Sequence, residues 1–338
     1  MLHDLKTENL GLKIIPFRVN STSGTPIASG FGEPFSSFTD TATGVYETVL
    51  KEPFGRNGIA LAMPSYNTQV NAHSRSTTTA LSSRTIGNFY NGGDFDTVSQ
   101  GLIFLYDDAS ADRTGLQSVK TPYTGAQLDL VSIASDGTLN YGADICSVSK
   151  TATGIYTLTW KATYGVAPIV VGSIVGGTAG RINYDANGTA QSQVIRTYNI
   201  GGASLSDYAF TLLVYGVKTN NAWTTSYNRV QTTTAKARIL PITVKYSGGV
   251  PAATVGLEHT SSVADTGTGD ALITLSRPFR NTVALGGGAT STATNGHAQL
   301  GSVSVSTAQS LHFNVAAAAD PSGGDVGDAY VLFGSDFP

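Results

Sequence analysis

Histidine is the side chain most often used as a metal ligand or general base, and the chain has five: His3, His73, His259, His297 and His312. None stands two or four residues from another histidine or from a cysteine, the spacing with which zinc is usually held. The single cysteine, Cys146, has no histidine near it in sequence, so it reads as a small buried residue and not as a nucleophile. It also has no partner for an intrachain disulfide. Ser, His and Asp are all present, but no Gly-x-Ser-x-Gly elbow occurs, and abundance alone does not make a triad. The glycine clusters at 172–180 and 286–288 lack the Lys-Ser/Thr of a phosphate loop and open no helical pattern, so they read as turns.

Carboxylates gather in two loops, Asp107, Asp108 and Asp112 in one and Asp320, Asp325 and Asp328 in the other. With the pair Asp94 and Asp96 they are the candidates for a hard cation such as Ca²⁺. They lack the Asp/Asn ladder and closing Glu of an EF-hand, and solvated turns have the same composition, so no metal site is expected. Trp223 lies in a polar stretch with no core of its own and is expected to anchor neighbouring domains, a sugar platform being the alternative. Together these residues compose no catalytic apparatus. The expectation is a protein that is not an enzyme and binds no cofactor.

The elements that would carry these residues are announced by self-similarity. Thr43-Gly44-Val45-Tyr46-Glu47-Thr48-Val49-Leu50 is echoed by Thr153-Gly154-Ile155-Tyr156-Thr157-Leu158-Thr159-Trp160 and by Thr268-Gly269-Asp270-Ala271-Leu272-Ile273-Thr274-Leu275. The copies are offset by 110 and 115 residues, and each puts an aromatic ring eleven positions after its Thr: Phe54, Tyr164 and Phe279. Alternation with period two predicts half-buried strands with Tyr46/Leu50, Tyr156/Leu158/Trp160 and Ala271/Ile273/Leu275 inward. The apolar runs that follow, at 59–63, 169–171 and 283–285, are expected to pair back onto them as hairpins. Each copy closes with an aromatic-ended strand, at 102–106, 211–215 and 329–333. Upstream, Lys13-Ile14-Ile15-Pro16-Phe17-Arg18-Val19 lines up with Arg238-Ile239-Leu240-Pro241-Ile242-Thr243-Val244.

The predicted fold is therefore all-β: three tandem β-sandwich, jelly-roll-like domains built from an internal repeat of about 110 residues, with almost no helix. Boundaries are expected at 1–11 for an N-terminal arm and at 12–120, 121–232 and 233–338 for the repeats. The stretches 107–121 and 218–236 read as linkers or crossing arms. Charged residues are only 13% of the chain, and 20 basic against 23 acidic residues spread along it leave no basic stripe for nucleic acid. No run approaches the ~18 apolar residues of a membrane span, and the first residues have no apolar leader core.

A Gly-, Ser- and Thr-rich texture, one cysteine and tandem β-domains together resemble the virion structural proteins of tailed bacteriophages, in particular capsid decoration or cement proteins. The resemblance extends loosely over the whole chain and rests on texture, with no diagnostic motif. It implies trimer-like β-sandwich clusters on the outer capsid surface that stabilise the assembled shell, with the major capsid protein and neighbouring copies of the chain as partners. Three copies in one chain then predict either a pseudo-threefold cluster or a linear array. Interface residues expected on this reading are Met1, Leu2, Leu5 and Leu10 of an arm laid against a neighbour, and Trp223. The alternatives are a tail-fibre or receptor-binding protein contacting a host glycan through loops such as 92–96 or 321–325, and a carbohydrate-binding surface module.

Overall fold

The computed structural model describes the chain except residues 8–10, 23–24, 29–30, 43–44, 52–58, 66–69, 75–82, 91–92, 95–97, 106–115, 177–179, 186, 200–203, 219–222, 248–249, 256–259, 268–269, 291–295, 305, 315–325 and 336–338. It contains strands and no helix among the described residues. Two short strands, β1 (His3–Asp4) and β2 (Lys6–Thr7), come first. A first stretch follows, with β3 (Lys13–Thr22), β4 (Thr25–Ala28), β5 (Phe35–Ala42), β6 (Val45–Leu50), β7 (Ile59–Ser65), β8 (Val70–Ser74), β9 (Ser83–Tyr90), β10 (Gly93–Asp94) and β11 (Val98–Leu105). Next, β12 (Gln117–Ser118) and β13 (Lys120–Tyr123) lead into β14 (Ala126–Ile133), β15 (Leu139–Tyr141), β16 (Cys146–Ala152), β17 (Ile155–Trp160), β18 (Ile169–Ile174), β19 (Gly180–Tyr184), β20 (Ser192–Asn199) and β21 (Phe210–Val217). Finally, β22 (Trp223–Arg229) and β23 (Gln231–Thr232) lead into β24 (Ala237–Ser247), β25 (Val250–Val255), β26 (Thr260–Gly267), β27 (Asp270–Leu275), β28 (Asn281–Thr290), β29 (Gly296–Val303), β30 (Thr307–Asn314) and β31 (Val326–Ser335).

In the first stretch, β3 pairs with β4 and β11, and β11 with β7. A second sheet joins β5 to β6, β6 to β9 and β9 to β8. The next stretch joins β15, β14, β21 and β18 in one sheet and β16, β17, β20 and β19 in the other. The last joins β25, β24, β31 and β28, then β26, β27, β30 and β29. All these pairs are antiparallel, whereas pairs between stretches include parallel ones, so three of the five sheets are mixed.

The alternation read from the sequence holds where side chains are described. Tyr46 and Leu50, Tyr156, Leu158 and Trp160, and Ala271, Ile273 and Leu275 are all buried, while Lys51, Thr159, Lys161 and Ser276 are exposed. Tyr164 and Phe279 are buried just beyond these strands; Phe54 lies outside the described residues. Thr153-Gly154 makes the turn between β16 and β17. Gly154 has φ +63°, and a Cβ there would stand 2.6 Å from the Thr197 carbonyl oxygen and 2.9 Å from the Ser206 nitrogen, so only glycine fits.

The expected hairpins do not form. β6 and β7 belong to different sheets, as do β17 and β18, and β27 and β28. The reason is the burial pattern: β17 alternates and covers one side of a core, whereas β7 and β18 are apolar on both faces and require a sheet covered on both sides. The connectivity is not that of a jelly roll either, since the second strand of each stretch pairs with the first, and the third with the fourth. β11 and β21, which carry the closing apolar runs up to Leu105 and through Tyr215, are buried along almost their whole length because they run through the middle of the doubly covered sheets.

Two cores lie inside single stretches. Ile15, Phe17, Val19, Phe35, Tyr46, Leu50, Ala60, Ile103 and Leu105 form one, and Leu240, Ile242, Val244, Ala271, Ile273, Leu275, Phe279, Ala308 and Leu332 the other. The third cluster holds the middle stretch's core together with the opposite faces of the outer two: Ile14, Leu61, Met63, Leu102 and Phe104 from the first, and Ile239, Val331 and Phe333 from the last. β3 thus sends Ile15, Phe17 and Val19 one way and Ile14 the other, and both faces are buried.

Candidate functional site

The most distinctive geometry lies where the three stretches meet. Leu5, Val119 and Val230 each precede a Lys-Thr or Gln-Thr pair: Leu5-Lys6-Thr7, Val119-Lys120-Thr121 and Val230-Gln231-Thr232. All three apolar residues and all three threonines are buried. Their backbones close a triangle: the Leu5 N–H donates to the Val230 carbonyl (2.9 Å), the Val230 N–H to the Val119 carbonyl (2.9 Å), and the Val119 N–H to the Leu5 carbonyl (3.0 Å). These satisfied polar groups can be buried without cost beyond their ordering.

The short strands around this triangle follow the same cyclic order. β2 runs parallel to β24, β13 to β3 and β23 to β14, through the pairs Lys6↔Arg238, Lys120↔Lys13 and Gln231↔Gln127. Antiparallel partners complete the set, β12 on β2, β22 on β13 and β1 on β23. Side chains add to this: the Lys6 ammonium donates to Ser118 Oγ (2.8 Å), and Arg229 Nη1 lies 2.9 Å from Asp4 Oδ2.

Further from the triangle the same order recurs. β7 meets β19 in a parallel bridge, Tyr184↔Ser65, while β28 lies beside β8 and β18 beside β29. β7, β18 and β28 also contact one another pairwise. Each in addition packs on the preceding stretch's doubly covered sheet: β18 on β11 and β3, β28 on β21, and β7 on β31 and β24. Polar side chains fasten one of these contacts. Arg18 Nη2 donates to the carbonyls of Ala167 (3.2 Å) and Pro168 (3.1 Å) and to Gln100 Oε1 (3.1 Å), while Gln100 Nε2 donates to the Val170 carbonyl (3.0 Å). Burial holds the Arg18 guanidinium below the usual arginine range, with the Tyr184 hydroxyl nearby opposing that shift.

A buried carboxylate fastens another connector. Asp129 Oδ1 accepts from Thr232 Oγ1 (2.9 Å), Thr233 N (2.7 Å) and Thr233 Oγ1 (3.0 Å), and its Oδ2 accepts from the Gln127 amide. Burial pushes the Asp129 carboxyl above its usual range, and those four donors pull against it. Thr121 Oγ1 shares a hydrogen bond of 2.6 Å with the buried Tyr215 hydroxyl, inside an edge-to-face cluster of Phe31, Tyr123 and Tyr215. The Tyr123 hydroxyl donates to Glu33 Oε2 (2.8 Å).

Of the residues singled out from the sequence, Leu5 is buried within the chain, its backbone already spent on Val230 and Val119, so it is not free to pair with a neighbour. Met1 is fully exposed and Leu2 half-buried; Leu10 lies outside the described residues. The backbone of Trp223 pairs with Tyr123. Cys146 is buried, and burial pushes its thiol up to about 12. Asp107, Asp108, Asp112, Asp320, Asp325 and Asp96 lie outside the described residues, while Asp94 and Asp328 are described only as strand backbone. Among the described residues no group of three or more His, Cys, Asp or Glu side chains is placed to hold a metal ion, and no helix is long and apolar enough to cross a membrane. The connector triplets escaped the sequence reading, although Leu/Val-Lys/Gln-Thr at offsets of 114 and 111 residues was there to be found.

No family model, curated protein or solved structure matches the chain.

Proposed function

We propose that the three stretches are copies of one sandwich unit of eight strands, to which the first adds the two-residue β10, each entered through a short connector, and that the chain is a non-enzymatic structural protein of a tailed-phage particle. In this reading it binds the outside of the assembled capsid as a decoration or cement protein. The observation that carries the proposal is the cyclic order of the contacts: connector on connector, edge strand on edge strand, and strand on sheet all run from one stretch to the next and back to the first. Such a chain is a covalent counterpart of a trimer. It supports the cluster of sandwiches implied by the resemblance to decoration proteins, and favours the pseudo-threefold arrangement over a linear array.

A ring of this kind offers three related surfaces at once, so weak contacts to subunits gathered about a local threefold axis add up. Binding that is confined to the assembled shell stabilises that shell by mass action, with no chemical step. The test is co-sedimentation with intact capsids and with unassembled shell protein, followed by electron cryo-microscopy of the decorated particle. Saturable binding to capsids alone, with density on threefold or quasi-threefold positions, is expected. Binding to neither form, or density only at a fibre tip, refutes the decoration role; the second outcome favours the receptor-binding reading.

A further inference from the structure

We propose that residues 3–7 fill a strand-acceptor site within the chain and serve as the third connector of a closed ring, although no covalent bond joins them to the last unit. Two connectors, 117–123 and 223–232, are continuous with the units on either side of them. The third position is filled by residues 3–7. His3 and Asp4 pair with Thr232 and Gln231 as Gln117 and Ser118 pair with Thr7 and Lys6, and as Asn228 and Arg229 pair with Thr121 and Lys120. Lys6 then meets Arg238 as Lys120 meets Lys13 and Gln231 meets Gln127. Spacing agrees, because seven residues separate Lys6 from Lys13, Lys120 from Gln127, and Gln231 from Arg238.

The acceptor is built for an extended segment carrying an apolar residue followed by Lys or Gln and then Thr. Its backbone requirement is met by the Val230 carbonyl and the Val119 N–H, which take the two hydrogen bonds of Leu5. Its apolar requirement is met by a core in which Leu5, Val119 and Val230 are all fully buried. Emptying it would orphan both backbone groups and expose that core. This is strand addition performed inside one molecule, with the ligand tethered at its far end through β3.

If the segment is a connector, the point at which the ring is opened is interchangeable. Eight residues link the positions equivalent to Ser335 and Met1 in each covalent connector (107–114 and 218–225), and Asp336 to Pro338 supply three of a matching eight. Five added residues between Pro338 and Met1 therefore restore the common length, and the chain can be reopened within 107–114.

The test compares the full chain with Leu5→Ala, Val119→Ala and Val230→Ala and with this circular permutant, by thermal melting and circular dichroism. Leu5→Ala is expected to lower Tm by several degrees, as much as the other two do, and the permutant to keep the β-type spectrum and melt within a few degrees of the parent. A Leu5→Ala chain that melts with the parent while the two valine variants fall would mark residues 3–7 as a fraying terminus and overturn the proposal. So would a permutant that fails to fold while the Val119→Ala chain folds.

Discussion

Asp129 gives the sharpest test of how the connectors are held. Its carboxylate takes four donors and is wholly buried, at a position where the aligned strands have Ile15 and Leu240. Asp129→Ala would leave the Thr233 N–H and the buried Gln127 amide without this acceptor, while the two hydroxyls can re-aim. At about 1–3 kcal/mol per orphaned buried group, and with the relieved charge burial offsetting part of it, a loss of roughly 2–4 kcal/mol is expected at pH 7. Asp129→Asn keeps the shape and the Oδ1 acceptor, and its amide can face a flipped Gln127, so it should fall within about 1 kcal/mol of the parent.

The pH dependence separates charge from shape. The folded carboxyl titrates above its unfolded value because burial outweighs the four donors, so the neutral acid is the form that folding favours. Its stabilising contribution is complete below the unfolded value of about 3.9 and is lost as pH rises through the raised folded value. Asp129→Asn cannot ionise and escapes that loss. Urea melts from pH 3.5 to 7.5 should show the Asn variant gaining on the parent with rising pH. A gap that is constant with pH, or one that moves against the Asn variant, would refute the view that burial dominates; an Ala variant as stable as the parent would refute the role of the hydrogen bonds.

Other parts of the fold make equally definite predictions. Cys146, with its thiol pushed up to about 12, should resist a thiol reagent at pH 8 in the native chain and react at once in denaturant; fast native labelling would contradict its burial. Gly101→Ala would set a Cβ 2.2 Å from the Leu61 carbonyl oxygen and 2.4 Å from the Phe17 ring, so a denaturant midpoint lower by about 1–3 kcal/mol of stability is expected, and an unchanged midpoint would contradict the packing. Arg18→Ala removes the donors to Ala167 and Pro168 and should cost roughly 1.5–3 kcal/mol, with Arg18→Lys restoring only part because it lacks the planar fork; full rescue by Lys would reduce the contact to charge alone. Calorimetry should give one transition with matching calorimetric and van't Hoff enthalpies; three separate transitions would mean that the shared core is not cooperative.

Local pattern made part of this legible in the sequence. Period-two alternation located β6, β17 and β27 and their buried faces because those strands cover one side of a core, and a half-buried strand writes its orientation into every second residue. Pairing partners were another matter. Ile59-Ala60-Leu61 and Ile169-Val170-Val171 are apolar throughout, and a run without alternation carries no information about which strand lies beside it. The nearest alternating strand is the expected partner of such a run, and the chain in fact crosses to the other sheet. The connectors were harder still. β1, β2, β12 and β23 are two residues each, too short for periodicity, and they are held by backbone bonds to residues more than 100 positions away. Polar, loop-like composition in 218–236 pointed to a linker, and nothing in a single stretch could reveal that Leu5, Val119 and Val230 meet.

The connectors change what each stretch needs in order to fold. A sandwich whose outer sheet is polar on one side, as β16 and β26 are, could stand alone if its other sheet were also solvated. The other sheet is not: β14 and β21 bury residues on both faces, and β18 lies against β11 and β28. Cut at 121 and 232, the middle unit would expose the apolar face it shares with its neighbours and strand the Asp129 carboxylate without Thr233. The three stretches are therefore expected to fold together, since apolar residues of all three share one buried cluster within a single chain. On the decoration reading proposed above, the advantage of such an arrangement would be that association of the three stretches does not depend on concentration, and that a chain bound weakly through each of them leaves only when all its contacts break together.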